Sequence, residues 1–223
     1  KGFPGLPPGW VHDWETLIPP HAGNVRLFGL ELRRKKTDRC RALVVLHGKG
    51  EHGGRYFHLP SYMKDSIDLL YAIDHRGHGR SEGIRGHIED FDDFIKDAAY
   101  AIEKLHRRLS ESYKEVELHV LGHSMGGLIT LRMMFTRPDL PVTSVIASAP
   151  LFAFKMAVPV VKRYAGYALS KFWDTLQLPT GIVLENLSHD PEVVQNFQVD
   201  RLDHDRITPS HVCSNGKGDV EYI

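Results

Sequence analysis

The sequence predicts an α/β domain, a mostly parallel sheet covered by helices on both faces, and three observations carry that expectation. Short, continuous apolar runs recur at 42–46, 69–73, 116–121 and 142–147, as strands buried on both faces require. A long helical pattern separates the second run from the third. Glycine-rich segments follow the first three runs directly, at the carboxyl ends of strands, where this architecture carries its chemistry.

Taken in order, residues 25–32 alternate as a strand on a half-exposed sheet edge, and 42–46 (A-L-V-V-L) is the first fully buried strand. Residues 69–73 (L-L-Y-A-I) give the second. Phe91, Phe94, Ile95, Ala98, Ile102, Leu105 and Leu109 then keep helical spacing along one face. Asp90 is the expected N-cap, with Asp92 and Asp93 in the first turn, where carboxylates favour the helix dipole. A third strand over 116–121 runs into a helical pattern through Leu128, Leu131, Met134 and Phe135, and 142–147 supplies the fourth.

Length and composition narrow the function. The 223 residues carry 28 basic and 28 acidic side chains, with 42% hydrophobic and 25% charged residues. That is a globular composition, which excludes disorder, collagen-like repeats and disulfide scaffolds. A chain of this length buries roughly 70% of its unfolded surface, so no metal or disulfide is needed to hold a core. Zero net charge offers no surplus cation for phosphates, so nucleic acid is not an expected partner. Cys40 and Cys213 stand far apart in no C-x-x-C spacing and read as reduced thiols, which points to a cytoplasmic chain. No run of about 18 apolar residues exists to span a membrane. Residues 1–10 are rich in Gly and Pro and lack the apolar core of a signal peptide, and a start at Lys1 rather than Met points to a trimmed beginning.

The motifs follow the apolar runs. The third ends in Gly122-His123-Ser124-Met125-Gly126-Gly127, a G-x-S-x-G between strand and helix. A serine on so tight a turn needs small residues two before and two after, and the helix N-terminus beneath it supplies N–H groups and a positive dipole end. Ser124 is therefore the candidate nucleophile. The first run ends in His47-Gly48-Lys49-Gly50-Glu51-His52, a loop able to bring a main-chain N–H to a reacting carbonyl. The expected oxyanion donors are the main-chain N–H groups of Lys49 and Met125. A metal site on His47, Glu51 and His52 is the rival reading, but the spacing is not H-E-x-x-H, and the glycines suit close backbone approach better. The second run ends in D-H-R-G-H-G-R-S-E-G at 74–83. It has neither a phosphate-loop nor a dinucleotide spacing and reads as structural, with Asp74 and Arg76 bonding neighbouring loops and His78 packed near the site. His106 and His119 read as solvated or core histidines.

Together, H-G-K-G-E-H-G-G-R-Y at 47–56, D-H-R-G-H-G-R-S-E-G-I-R-G-H at 74–87 and G-H-S-M-G-G at 122–127 resemble the monoacylglycerol lipase and lysophospholipase family of α/β-hydrolases. The resemblance runs over about residues 12–210, and Leu187-Ser188-His189-Asp190 is similar to a short motif of that family's cap. It implies an α/β-hydrolase fold with a helical cap, a serine ester hydrolase of glycerol monoesters or lysophospholipids, Ser124 as nucleophile, Lys49 and Met125 as donors, and no cofactor.

The expected organisation is a hydrolase core over 1–150, a helical cap over 151–210 and an atypical tail over 211–223. Within the cap Val160, Val161, Tyr164, Tyr167, Ala168 and Phe172 hold one helical face, begun by Pro159 and flanked by Lys162, Arg163 and Lys171. Such a face packs on the domain or rests on a lipid surface, so peripheral membrane contact through the cap is one expectation. An aromatic lid over the nucleophile suits an acyl chain. The triad needs an acid and then a histidine after the serine. Asp200, Asp203, His204, Asp205 and His211 come in permissible order, but none follows an apolar run, so no triad acid or histidine is assigned, and the last strands of the sheet are not found. Loss of a triad member costs on the order of 10⁶ in turnover in a protease, so as a whole polypeptide the chain is expected to be weakly active and poorly stable. Two alternatives stand beside the lipase: an impaired remnant that binds acyl lipid, and a hydrolase of small esters or peptides.

Overall fold

The computed structural model describes residues 6–34, 38–63, 65–152 and 171–210 of the chain. The main sheet is built from β1 (Trp10–Leu17), β2 (Leu27–Arg34), β3 (Arg39–Leu46), β4 (Leu69–Ile73), β5 (Glu115–His123) and β6 (Ser144–Ser148). Between them come a 3₁₀ turn (Gly53–Tyr56) and the helices α1 (Leu59–Met63), α2 (Asp92–Ser110) and α3 (Met125–Thr136). The strand order is β1-β2-β4-β3-β5-β6. Strands β4, β3, β5 and β6 are mutually parallel, while β2 runs antiparallel to β4 and β1 antiparallel to β2.

Period-two alternation explains how one sheet serves two cores. Ala42, Val44 and Leu46 of β3 pack with Tyr71 and Ile73 of β4 against Phe94, Ala98, Ile102 and Leu105 of α2 and Leu128, Ile129 and Met133 of α3. Leu43 and Val45 point the other way, with Leu70, Ala72 and Leu32, towards Tyr56, Phe57, Leu59 and Met63 from the 3₁₀ turn and α1. Each large side chain so buried contributes about 1.5–3 kcal/mol. Cys40 lies within the first of these cores as a free thiol; Cys213 lies outside the described residues.

Four expectations need correction. The predicted edge strand at 25–32 is β2, an interior strand with a neighbour on each side; the edge is β1, which the alternation does not announce. The N-cap position of α2 is Phe91, and Asp90 acts from one residue upstream, its carboxylate accepting the Asp92 N–H at 2.9 Å. Strand β6 is exposed at all five positions instead of buried, and among the described residues it ends the sheet, paired with β5. On α3 the buried face is Met125, Leu128, Ile129 and Met133, and Phe135 faces outward.

The register sets up the site. Leu46 pairs with Ile73 on one side and Gly122 on the other, and His123 pairs with Ser148. All four parallel strands therefore finish level, and the segments after Leu46, Ile73, His123 and Ser148 leave from one edge of the sheet. Further along, Leu178–Pro179 (β7) and Arg206–Ile207 (β8) form an antiparallel ribbon, with a 3₁₀ turn at Leu184–Asn186 and helix α4 (Pro191–Val199) between them. Asp190 caps α4 by accepting the Glu192 N–H at 2.9 Å, with Pro191 in the first turn. The L-S-H-D run is thus a helix-start signal. Of the apolar face expected over 160–172, only Phe172 is described, and it is exposed; the rest of that face, His211 and the tail lie outside the described residues.

Candidate active site

Ser124 sits between the last residue of β5 and the first of α3, with φ 51° and ψ −114°. For a residue with a Cβ this is a strained conformation, costing on the order of 1–3 kcal/mol. The surroundings hold it there. Its N–H donates to the Ser148 carbonyl at 3.0 Å, and its carbonyl accepts from Leu128 at 3.2 Å and Leu151 at 3.0 Å. A Cβ on Gly122 would collide with the Gly126 carbonyl and the Thr130 hydroxyl, and one on Gly127 would stand 2.8 Å from Pro150. The glycine spacing is thus a steric requirement of the turn. Met125 opens α3, so its N–H belongs to the first turn, whose donors lack intrahelical partners and face the serine end of the dipole.

The loop after β3 lies against this turn: a Cβ on Gly48 would be 3.3 Å from the Ser124 Cβ. Glu51 shapes the loop by accepting the Gly48 N–H at 2.6 Å and the Tyr56 hydroxyl at 2.8 Å. Burial, and then the Glu51 charge, raise the Tyr56 hydroxyl above its usual range. His47 accepts the His75 N–H on Nε2 at 3.0 Å. Its Nδ1 therefore carries the proton that faces the Gly48 carbonyl at 2.8 Å. Burial pushes His47 down to about 3, and His75 and His78, its ring neighbours at 4.3 and 5.4 Å, well below the usual histidine range. The rings are neutral spacers beneath the loops. Lys49 extends its amine towards the Gly86 carbonyl at 3.3 Å, and burial pushes it down to about 7.

The loop after β4 is structural, as its spacing predicts. Asp74 accepts Gly53 N–H at 2.7 Å and Arg80 N–H at 2.8 Å, tying the two glycine-rich loops together. Arg76 departs from expectation by gripping α2 instead of a loop, with Asp97 at 2.7 and 2.8 Å and Asp93 at 3.1 Å. Asp97 also meets His21 at 3.0 Å. His78 is fully buried, between His47 and His204.

The residues in permissible triad order bond elsewhere than the serine. His204 donates its N–H to the Gly50 carbonyl at 2.8 Å, and its ring lies tilted against His78, centroids 4.7 Å apart. Asp200 meets His52 Nε2 at 3.0 Å, and Asp203 meets Arg55 at 2.8 Å. Burial pushes Asp203 up to about 7 against the Arg55 charge, with Asp200 and Glu51 adding to the rise. Burial also acts to raise Asp200, but hydrogen bonds from His52 and Leu202 outweigh it and hold that carboxyl low. Ligand atoms of His52, Asp200 and Asp203 lie within 4.8 Å of one another, close enough for a metal. The Arg55 guanidinium meets Asp203 and the His52 N–H meets Asp200, so each carboxylate already has a protein partner. The metal reading of His47, Glu51 and His52 has no geometric basis, since each turns to a different protein partner. This contact between residues 200–204 and the loop after β3 has no local sequence signal. Among the described residues, none hydrogen-bonds the Ser124 hydroxyl, and no helix is long and apolar enough to cross a membrane.

A level-ended parallel sheet, a serine on a strained strand-to-helix turn and a glycine-rich loop beside it define an α/β-hydrolase. The chain belongs to the family described as serine aminopeptidase, S33 (Hydrolase_4), which matches residues 37–215. It is 34% identical over 182 residues to the monoacylglycerol lipase of Mycolicibacterium smegmatis, covering 79% of this chain and 61% of that one. It is 33% identical over 158 residues to the monoglyceride lipase of Homo sapiens, covering 70% of this chain and 47% of that protein. Among solved structures, the Paleococcus ferrophilus monoacylglycerol lipase superposes with a TM-score of 0.63 at 32% identity, covering 78% of this chain and 65% of that one. The chain thus spans less than two-thirds of the length of these relatives.

Proposed function

We propose that the protein to which this chain belongs is a serine ester hydrolase acting on monoacylglycerols or lysophospholipids through an acyl-enzyme on Ser124. The observation that carries this reading is the Ser124 turn, held at positive φ with the loop after β3 packed against it. Ser124 Oγ attacks the ester carbonyl as its proton leaves to a base. The oxyanion is met by the main-chain N–H groups of Lys49 and Met125, the glycerol or lysolipid alcohol departs, and water releases the fatty acid. Residues 151–210 act as a cap over the acyl chain, a reading that the exposed Phe172 and Trp173 support. No cofactor takes part in this scheme. The names of the relatives support monoacylglycerols as substrate, the family description keeps peptides as competing substrates, and small esters stand beside them.

The test is labelling of the full-length protein by a fluorophosphonate probe, abolished in Ser124→Ala, followed by turnover across a series of acyl lengths. Labelling and a preference for long chains are expected; an unlabelled protein sinks the mechanism, and a flat profile sinks the lipase. A second reading, an acyl-lipid binder without turnover, is favoured by the absence, among the described residues, of a hydrogen-bond partner for the Ser124 hydroxyl. Lipid binding with no ester cleavage in the full-length protein would select it.

A further inference from the structure

The segment from Asp200 to His204 grips the loop after β3 at three separate points. Its N-terminal end takes His52. That ring accepts the Gly54 N–H on Nδ1 at 3.1 Å, so Nε2 carries the proton and donates it to Asp200 at 3.0 Å. Its middle takes Arg55, through Asp203 at 2.8 Å, and the same guanidinium lies over the Phe197 ring of α4 at 4.4 Å. Its C-terminal end takes the backbone, the His204 N–H donating to the Gly50 carbonyl at 2.8 Å. Gly50 has φ +77° and packs so closely under the His204 carbonyl that no Cβ fits there. His52 and Asp203 are almost wholly buried, so these are desolvated, geometrically defined contacts and not surface pairs.

The three anchor points, Gly50, His52 and Arg55, bracket one side of Lys49. On the other side Gly48 is held by Glu51, itself 3.6 Å from the Arg55 guanidinium. The peptide of Lys49 is thus held between an internal tether and an external one contributed from about 150 residues away. A rigid N–H is what an oxyanion donor needs, because preorganisation is the source of its effect.

We propose that Asp200 and Asp203, acting through His52 and Arg55, are positioning residues that fix the main-chain N–H of Lys49 for catalysis, so that the segment after α4 sets the oxyanion hole. This rests on the hydrolase reading above. Neither carboxylate touches the reacting atoms; each acts through the loop. The segment Asp200–His204 then has a role besides covering substrate: it holds one donor loop of the site that the first 150 residues begin.

The test compares Asp200→Ala, Asp200→Asn, Asp203→Ala and Asp203→Asn in the full-length protein by two measurements. The first is steady-state hydrolysis of a water-soluble medium-chain ester. Displacing a donor without deleting it should lower kcat about 10–100-fold, with KM within about threefold. Asp200→Asn, whose amide oxygen still accepts from His52, should recover most of that loss. The second is hydrogen exchange, in which amides of 47–56 should exchange faster in the alanine variants while β3 and β5 keep their protection. Unchanged kcat in both alanine variants overturns the proposal, as does a loss of protection spread evenly over β3 and β5. Should an alanine variant fail to fold, its near-isosteric asparagine counterpart and the exchange pattern decide the same question. If ester hydrolysis survives Ser124→Ala, the hydrolase reading fails by itself, and the exchange data still report on the clamp.

Discussion

A Cβ on Gly126 would overlap the carbonyl oxygen of Leu46. The first turn of α3 is therefore pressed directly against the end of β3, which brings the loop after β3 alongside Ser124. Two motifs about 75 residues apart in the chain are one object in space, and this contact joins them. Gly126→Ala should cost about 1–3 kcal/mol by overpacking and lower ester turnover about 10²-fold by parting the two N–H donors. Urea unfolding and initial rates measure the two effects. A variant with the parent's midpoint and rate would mean that the contact has room to give.

The strain at Ser124 makes a second, opposite prediction. Glycine adopts a positive φ without penalty, whereas alanine keeps the Cβ that makes the turn costly. Ser124→Gly should thus be more stable than Ser124→Ala by about 1 kcal/mol, the strain relieved less the added entropy of the unfolded chain. Both variants should lose probe labelling. Comparing the two cancels the loss of the hydroxyl, and equal urea midpoints would show that the turn stores no strain.

Much of this site is legible in the sequence because its rules are local. The G-x-S-x-G spacing is a local pattern, with Gly122 packed on Gly126 and Thr130, although the reason for Gly126 lies across the sheet at Leu46; apolar runs mark β3, β4 and β5 directly. What escapes is whatever depends on strand order or on distant pairing. Residues 25–32 alternate like an edge strand, yet β1 pairs outside them; 142–147 is apolar enough to be buried, yet β6 ends the described sheet and stays exposed. The anchoring of His52 by Asp200 spans 148 positions and uses residue types found everywhere on protein surfaces. The same holds for Arg76, whose partners on α2 are visible only once the helix is docked.

That Arg76 anchor makes a third prediction. Asp97 is buried in the first turns of α2 and holds the Arg76 guanidinium through both carboxylate oxygens. Asp97→Ala leaves a largely buried guanidinium without its main partner and should cost about 3–5 kcal/mol. A double variant, Arg76→Leu with Asp97→Leu, removes both charges and should recover most of that loss. Chemical denaturation of the single and double variants reads the difference; equal losses in both would show that the pair's worth lies in its shape and not in its charge.

The histidines beneath the loops predict how stability depends on pH. His47 is pushed down to about 3 and His204 to about 4, chiefly by burial, and His75 and His78 lie well below the usual value. In the unfolded chain each titrates near 6.5. Between those limits the unfolded state binds more protons than the folded one, so stability rises with pH. Their contribution is complete above about pH 6.5 and is lost progressively as pH falls towards the folded-state values. From pH 7 to 5.5 each fully buried ring should cost roughly 1 kcal/mol. Asp203, pushed up to about 7, works in the opposite sense and offsets about one ring over that range. The chain should therefore unfold at distinctly lower urea concentration at pH 5.5 than at pH 7. His78→Leu should flatten that dependence by about one proton, since it removes one titrating ring, at the expense of the Nδ1 hydrogen bond to the Arg76 carbonyl at 3.0 Å. Urea midpoints measured across this range, in parent and variant, check both statements. A midpoint that does not move with pH would mean that these rings take up protons while still folded.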